Sequence, residues 1–458
     1  MVKLNVKQIL EATNGVLLSG DIGKEGVGVV IDSRKVELNN IFVAIKGENF
    51  DAHSFLSEVV SSGVSILIVQ QETESFGDTA VIKVEDTRRA LGDIAKYYRS
   101  LFNIPFIGVT GSVGKTSTRR MMGSVLSEEY NVLENEGNLN NDIGVPLTLF
   151  RLSEDNDVGV VEMGMNHLGE IEYLSKIAKP KYSVITNIGT AHIGNLGSKQ
   201  NILKAKLEII KGMDEDGVLI INGDESLLSG LKGLLDVKTI YYGLDEGVDF
   251  RAYNIDKRED GTAEFNIKID GVDYLVHIPA IGIHNVYNAL AAIVAGKEMG
   301  MSVDNIISGI SKYSPVGSRS NIYTKNGITF IDDVYNASVS SMNASIDVLS
   351  DMSNTKRKIA ILGDMYELGE FSQKLHREVG EYIATKDVDF LFTVGEDSKY
   401  ISDEVLSLGV IEEKVKHFDE VDEVAGFLKE FLVEDDIILV KGSRGMAMER
   451  IIKKITEN

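Results

Sequence analysis

The chain has no cysteine, so it carries neither a disulfide framework nor thiol chemistry. No apolar run approaches the ~20 residues that a membrane span needs. The first ten residues, MVKLNVKQIL, lack the apolar core of a secretion signal. A cytoplasmic protein is expected. Basic residues are scarce beside acidic ones, 47 against 70, for a formal net charge of −23. That balance repels a phosphate backbone and argues against a general nucleic-acid binder. It does not exclude a small anionic ligand, because local loops or a metal can override the global field. Short-period repeats and low-complexity linkers are missing as well.

What is present is enough apolar material, 43% of 458 residues, for a sizeable core. The length suggests about three domains, placed at 1–100, 101–314 and 315–458. The pattern throughout is α/β. In the first region, Gly26–Ile31, Ile41–Ile45, Val64–Val69 and Val81–Val84 are expected as strands, and Thr87–Phe102 as an amphipathic helix leading out. Two polar clusters follow strand ends there: Asp32-Ser33-Arg34, and Lys46-Gly47-Glu48-Asn49 with Asp51 and His53. Each alone reads as an ordinary turn; together they would suit an anionic, sugar-bearing ligand.

The central region is organised around FIGVTGSVGKTSTRRMMGSVL, Phe106–Leu126. Strand, glycine loop and helix in this order make a phosphate cradle. Glycines let backbone N–H groups approach the anion, the helix N-terminus adds positive potential, and Lys115 adds a full charge. The general pattern G-x-x-x-x-G-K-[ST] wants glycine at position 109, where valine stands, so the loop fits a shorter T-G-x-x-G-K-T form over Thr110–Thr116. Gly111, Ser112, Gly114, Lys115, Thr116 and Ser117 make up the candidate nucleotide site. Further continuous apolar runs, Val158–Glu162, Ser183–Asn187 and Gly217–Ile221, suit a parallel sheet covered on both faces. Each ends in polar residues, and ligands of open α/β sheets bind at the carboxyl ends of strands. Glu162 is therefore the best carboxylate for a divalent cation beside Thr116, and His192 lies on the same edge. Asn135–Pro146 is expected as a binding loop. A helix with Val286, Ala289, Leu290, Ile293 and Val294 on its buried face carries His284, Asn285 and Asn288 in its first turn.

From Pro315 the pattern restarts as a Rossmann-like domain, with strands Ile328–Ile331, Lys358–Leu362, Phe390–Val394 and Ile437–Val440 and helices Phe371–Thr385 and Val421–Leu432. Arg319 and Asp333 could reach a nucleotide on the central domain only if this domain closes over it, which would also exclude water from a reactive intermediate. By pattern alone, Lys204-Ala205-Lys206-Leu207-Glu208 reads as a solvated helix face.

These motifs resemble the Mur ligases, the ATP-dependent amide-forming enzymes of peptidoglycan precursor synthesis. Thr110–Thr116 looks like the family's phosphate loop and Val160–Gly164 like its second metal motif. Ile185–His192 and Gly282–Ala289 are similar to the next two. Asn138–Pro146, Asp332–Ala337, Gly363–Gly369 and Lys441–Arg444 resemble the branch that adds a dipeptide. The Asp-Asn-Pro-Arg signature of the diaminopimelate-adding branch is absent. Folylpolyglutamate synthases share the central and C-terminal folds but not Asp32-Ser33-Arg34.

The resemblance implies three domains: an N-terminal α/β domain for the UDP-sugar, a central P-loop parallel-sheet domain for ATP, and a C-terminal Rossmann-like domain for the incoming amine. The implied substrates are UDP-N-acetylmuramoyl-tripeptide and D-alanyl-D-alanine, and a monomer is expected. It further implies that Lys115 contacts the β/γ-phosphates, that Thr116 and Glu162 hold one Mg²⁺, and that His192 helps hold a second. Lys206 would match the lysine that becomes a carbamate, and Asn288, Arg319 and Asp333 would bind the adenine, phosphate and ribose of ATP. Ser33, Arg34, Lys46 and His53 would lie near the UDP-sugar. Asn138, Asn140 and Asn141 would lie near the peptide or metals, and Lys441 and Ser443 among the substrate contacts. Two departures are Ala52, where the family often has glycine, and Ser338-Val339 in place of a common Asn-Pro. A relative adding a single amino acid, and a nucleotide-driven switch, remain the rival readings.

Overall fold

The computed structural model describes residues 2–47, 50–258, 261–315, 321–352 and 356–457. Three main sheets follow one another along the chain, each built chiefly from short, fully apolar strands that bury both faces. The first has five strands in the order Val16–Ser19, Ala80–Lys83, Ile66–Val69, Ile41–Val43, Val29–Val30, parallel except at the first pair. The expected strand at Gly26–Ile31 is divided in two. Gly28 sits in the left-handed region at φ +76°, so Glu25–Gly26 pairs with Leu4–Asn5 instead while Val29–Val30 joins the main sheet.

The helix Thr87–Ser100 starts where the Asp86 carboxylate accepts from the N–H groups of Arg88 and Arg89. It joins the first region to the second. At its end the Arg99 guanidinium donates to the carbonyls of Ala178 (3.0 Å), Phe102 (2.7 Å) and Ile104 (2.8 Å), and it lies 4.1 Å from the Phe106 ring centroid. Burial pulls its pKa down to about 10. Arg99→Ala would leave three carbonyls unpaired, and we expect it to cost about 3 kcal/mol, read as a lower denaturant midpoint; an unchanged midpoint would mean that water replaces the guanidinium.

The central sheet has nine strands. Its parallel part runs Lys238–Gly243, Val218–Asn222, Tyr182–Ile185, Phe106–Thr110, Val158–Glu162, Val132–Glu134. The strand entering the phosphate loop thus lies between the strands that end at Glu162 and just before Thr186-Asn187. Beyond Lys238–Gly243 the sheet continues as an antiparallel ribbon, Phe250–Lys257, Thr262–Ile269 and Val272–Ile281, which the apolar-run reading did not anticipate. Its strands alternate rather than run apolar throughout. Ala263, Phe265, Ile267 and Ile269 point inward to a core shared with helices His284–Glu298 and Val303–Ser311. The expected loop at Asn135–Pro146 becomes helical at its end, because the Asn141 side chain accepts from Gly144 N–H (2.8 Å) at the start of helix Gly144–Leu149.

The third sheet has the order Asn321–Lys325, Ile328–Asp333, Ile437–Lys441, Lys358–Gly363, Phe390–Val394, Val415–Phe418, parallel except for its first pair. It docks on the central domain. Lys257 pairs with Asp351, and Gly194 N–H donates to the Glu367 carbonyl at 3.0 Å. Among the described residues no helix is long and apolar enough to cross a membrane.

Candidate active site

The phosphate loop is shaped by its neighbour strand. Gly111 has φ +151°, and a Cβ there would stand 1.8 Å from Thr186 Oγ1, so only glycine fits. Thr186 Oγ1 donates to the Val113 carbonyl (2.6 Å), Val113 N–H donates to Asn187 Oδ1 (3.0 Å), and Gly189 N–H donates to Ser112 Oγ (2.9 Å). Gly114, at φ +84°, turns the chain into helix Lys115–Leu126. Lys115 Nζ reaches back to the Gly111 carbonyl at 2.8 Å. The loop is thereby preorganised around the space a phosphate chain would fill.

Beside it, Thr116 Oγ1 donates to Glu162 Oε2 (2.7 Å), and Asn140 Nδ2 donates to Glu162 Oε1 (2.8 Å). Glu162 is almost fully buried, and Arg119 Nε stands 3.9 Å from it as a counter-charge. Among the described residues no three acidic or histidine side chains cluster closely enough to hold a metal by themselves. One carboxylate and one hydroxyl at a phosphate loop nevertheless fit Mg²⁺, which keeps waters and takes further oxygens from nucleotide phosphates.

These groups open on a cavity of about 720 Å³ between the central and third domains. Of the residues expected at a site, Ser112, Gly114, Lys115, Ser117, Asn138, Asn140, Asn141, Glu162, His192, Asn288, Asp333 and Lys441 line it. Asn288 accepts from Thr118 Oγ1 (2.8 Å), tying helix His284–Glu298 to the phosphate-loop helix. Lys441 Nζ is bonded to Asp333 Oδ2 and to the Asn336 carbonyl (3.0 Å), and Ser345 Oγ donates to Asp333 Oδ2 (2.6 Å). Lys441 is thus paired with Asp333 within the third domain while it also lines the cavity.

Lys206 is 2% exposed, not on a solvated face, and has no hydrogen-bond or ion-pair partner among the described residues. Burial, with a lesser contribution from the nearby Lys115 charge, holds its pKa well below the ordinary lysine value. The helix Lys199–Leu207 turns this residue inward next to Ala205, which is also buried.

Other expected residues lie elsewhere. Arg319 falls outside the described residues. Ser33, Arg34, Lys46 and His53 do not reach the cavity. Arg34 is paired with Asp32 at 2.8 Å, which holds the Asp32 carboxyl at about 2. His53 is buried with both ring nitrogens engaged: Nδ1 lies 2.6 Å from Asp51 Oδ1, and Nε2 accepts from Gln70 N–H at 3.1 Å. Ser443 Oγ accepts from Tyr366 N–H (2.8 Å) and is buried away from the cavity. Conversely, Tyr287, Tyr335, Asn336 and Ser340 line it without having been assigned a role. Tyr287 immediately precedes Asn288 in helix His284–Glu298, and its hydroxyl donates to Asp224 Oδ2 at 2.9 Å.

Fold and site together define an α/β protein in which a nucleotide-phosphate cradle on a central parallel sheet is roofed by a Rossmann-like domain. Family models match this architecture along the chain: "Mur ligase family, catalytic domain" over residues 27–99, "Mur ligase middle domain" over 109–296 and "Mur ligase, glutamate ligase domain" over 318–444. The chain belongs to the Mur ligase family. It is 39% identical to the UDP-N-acetylmuramoyl-tripeptide–D-alanyl-D-alanine ligase of Bacillus subtilis, over 100% of this chain and 99% of that one. It is 35% identical to the Escherichia coli ligase of the same name, with the same coverage. Its structure is similar to that of MurF from Acinetobacter baumannii (TM-score 0.92, 33% identity, 100% of both chains). It also resembles MurF from Thermotoga maritima in complex with ADP (TM-score 0.84, 27% identity, 94% of this chain and 97% of that one).

Proposed function

We propose that this chain is an ATP-dependent, ADP-forming ligase that joins D-alanyl-D-alanine to UDP-N-acetylmuramoyl-tripeptide in peptidoglycan precursor synthesis. The observation that carries the reading is the cavity itself: a phosphate loop, a buried carboxylate and a roofing domain in one enclosure, on a chain similar end to end to ligases of that name. The tripeptide's terminal carboxylate attacks the γ-phosphorus of ATP, ADP leaves, and an acyl phosphate forms. The neutral amine of the dipeptide then attacks the acyl carbon; as the C–N bond forms the C–O bond to phosphate breaks, phosphate leaves, and the amine's surplus proton passes to the phosphate or to solvent.

In this scheme the loop N–H groups and Lys115 bind and orient the β/γ-phosphates, countering the charge that spreads over the transferring group. Thr116 and Glu162 would hold one Mg²⁺, with His192 and Lys206 beside a second; Mg²⁺ supplies charge neutralisation to the phosphates. Burial lowers the pKa of Lys206 and so favours its neutral amine, the form able to add CO₂: an N–C bond forms, a proton goes to solvent, and the resulting carbamate is an anion. Asn288 and Asp333 are assigned to adenine and ribose, Arg319 to phosphate, and Asn138 and Asn141 to the peptide. The segment 1–100 would present the UDP-sugar, 101–314 bind ATP, and 315–458 bind the dipeptide and close over the intermediate, excluding water. The protein would act in the cytoplasm as a monomer.

Phosphate release with UDP-N-acetylmuramoyl-tripeptide tests this directly. D-alanyl-D-alanine should outpace any single amino acid by about a hundredfold or more, since a site built to pair the dipeptide's amide and terminal carboxylate is left with unpaired polar groups by a shorter acceptor. Equal rates with a single amino acid would place the chain with the single-residue-adding ligases, and release without any acceptor would mark a switch.

A further inference from the structure

Two non-glycine residues in the left-handed backbone region face each other across the domain boundary: His192 at φ +62° on the central domain and Glu367 at φ +63° on the third. Such a conformation costs each residue about 1–2 kcal/mol, and it persists where the surroundings impose it. Here they meet. His192 Nδ1 is hydrogen-bonded to Glu367 Oε2. The Glu367 carbonyl also accepts from Gly194 N–H (3.0 Å). A Cβ on Gly194 would stand 2.6 Å from that carbonyl, so the close approach is built into both loops.

A carboxylate beside an imidazole nitrogen leaves that nitrogen no role but donor, so Nδ1 carries a proton, and in the neutral ring Nε2 is the nitrogen that keeps its lone pair. Nε2 has no hydrogen-bond partner among the described residues, and His192 lines the cavity. We propose that Glu367 is the positioning residue for His192: closure of the third domain delivers a carboxylate that fixes the imidazole with Nε2 available to a divalent cation. The cation site is then complete only in the closed arrangement, before the acyl phosphate forms. Metal-ligating imidazoles commonly donate their other N–H to such a carboxylate; here the carboxylate comes from the third domain. This inference rests on the cation-site reading above.

The test is Mn²⁺ binding to the full-length protein with a non-hydrolysable ATP analogue, followed by electron paramagnetic resonance. Glu367→Ala should weaken Mn²⁺ binding about 10–100-fold. Glu367→Gln should recover most of it, because the amide oxygen still accepts from Nδ1. Lys257→Ala breaks another cross-domain pair, far from the imidazole, and should weaken Mn²⁺ binding far less than Glu367→Ala. Glu162→Gln should lose binding more severely than any of them. Wild-type affinity in Glu367→Ala, with Glu162→Gln defective, overturns the proposal alone. Equal weakening by Lys257→Ala also overturns it, by showing that closure rather than imidazole orientation is what matters. Wild-type binding in Glu162→Gln would instead overturn the cation-site reading.

Discussion

Lys115→Ala is expected to reduce phosphate release by about a thousandfold while leaving the fold intact. The residue sits at the first helical position after Gly114, on the cavity wall, with its ammonium 2.8 Å from the Gly111 carbonyl and 3.4 Å from that of Ser112. Those carbonyls hold the charge at the mouth of the loop, where it would meet the β/γ-phosphates. The backbone geometry of the loop does not depend on it: Gly111, Val113 and Ser112 are fixed by Thr186, Asn187 and Gly189. Circular dichroism and thermal midpoint should therefore match the parent protein, and the defect should appear in turnover. Near-normal phosphate release in this variant would sink the phosphoryl-transfer scheme.

The second large effect separates function from stability at one position. Lys206→Met should lower phosphate release by about a hundredfold or more, yet raise stability by about 1–3 kcal/mol in bicarbonate-free, nucleotide-free buffer. The reason is that Lys206 is a buried amine without a partner among the described residues, whereas methionine fills a similar volume without a polar end. The sign with pH follows from the lowered pKa. Between the folded and unfolded values the unfolded chain holds the proton and the native one does not, so wild-type stability rises with pH across that window. The advantage of methionine should be largest on the acidic side and shrink as pH climbs toward the ordinary lysine range. Denaturant midpoints at several pH values check this. A variant less stable than its parent throughout would mean that the amine is compensated in the folded protein.

Elements are legible in the sequence where the physics is local. Phe106–Thr110 and Val158–Glu162 are recognisable because a strand buried on both faces must be apolar at every position. Thr110–Thr116 is recognisable because a phosphate loop needs glycine at fixed places. The antiparallel ribbon 250–281 was missed because alternation is a weaker signal, and Gly28 divided a strand that its neighbours favoured. At the site, Lys206 looked solvated because the residues around it in sequence are polar; its burial comes from elements packed over it. His53 looked like a ligand group, but Asp51 and Gln70 consume both its ring nitrogens. Lys441 looked available, but the Asp333 carboxylate meets it first.

The sequence by itself determined the α/β class, the phosphate cradle and the polar strand ends, since these depend on residues a few positions apart. Only the tertiary structure decided that Glu162, His192, Asp333 and Asn288 line one enclosure, and that Glu367 from the third domain meets His192. The physical reason is distance along the chain: those two residues are 175 positions apart, and no local periodicity carries information about which strand ends a closing domain will bring face to face.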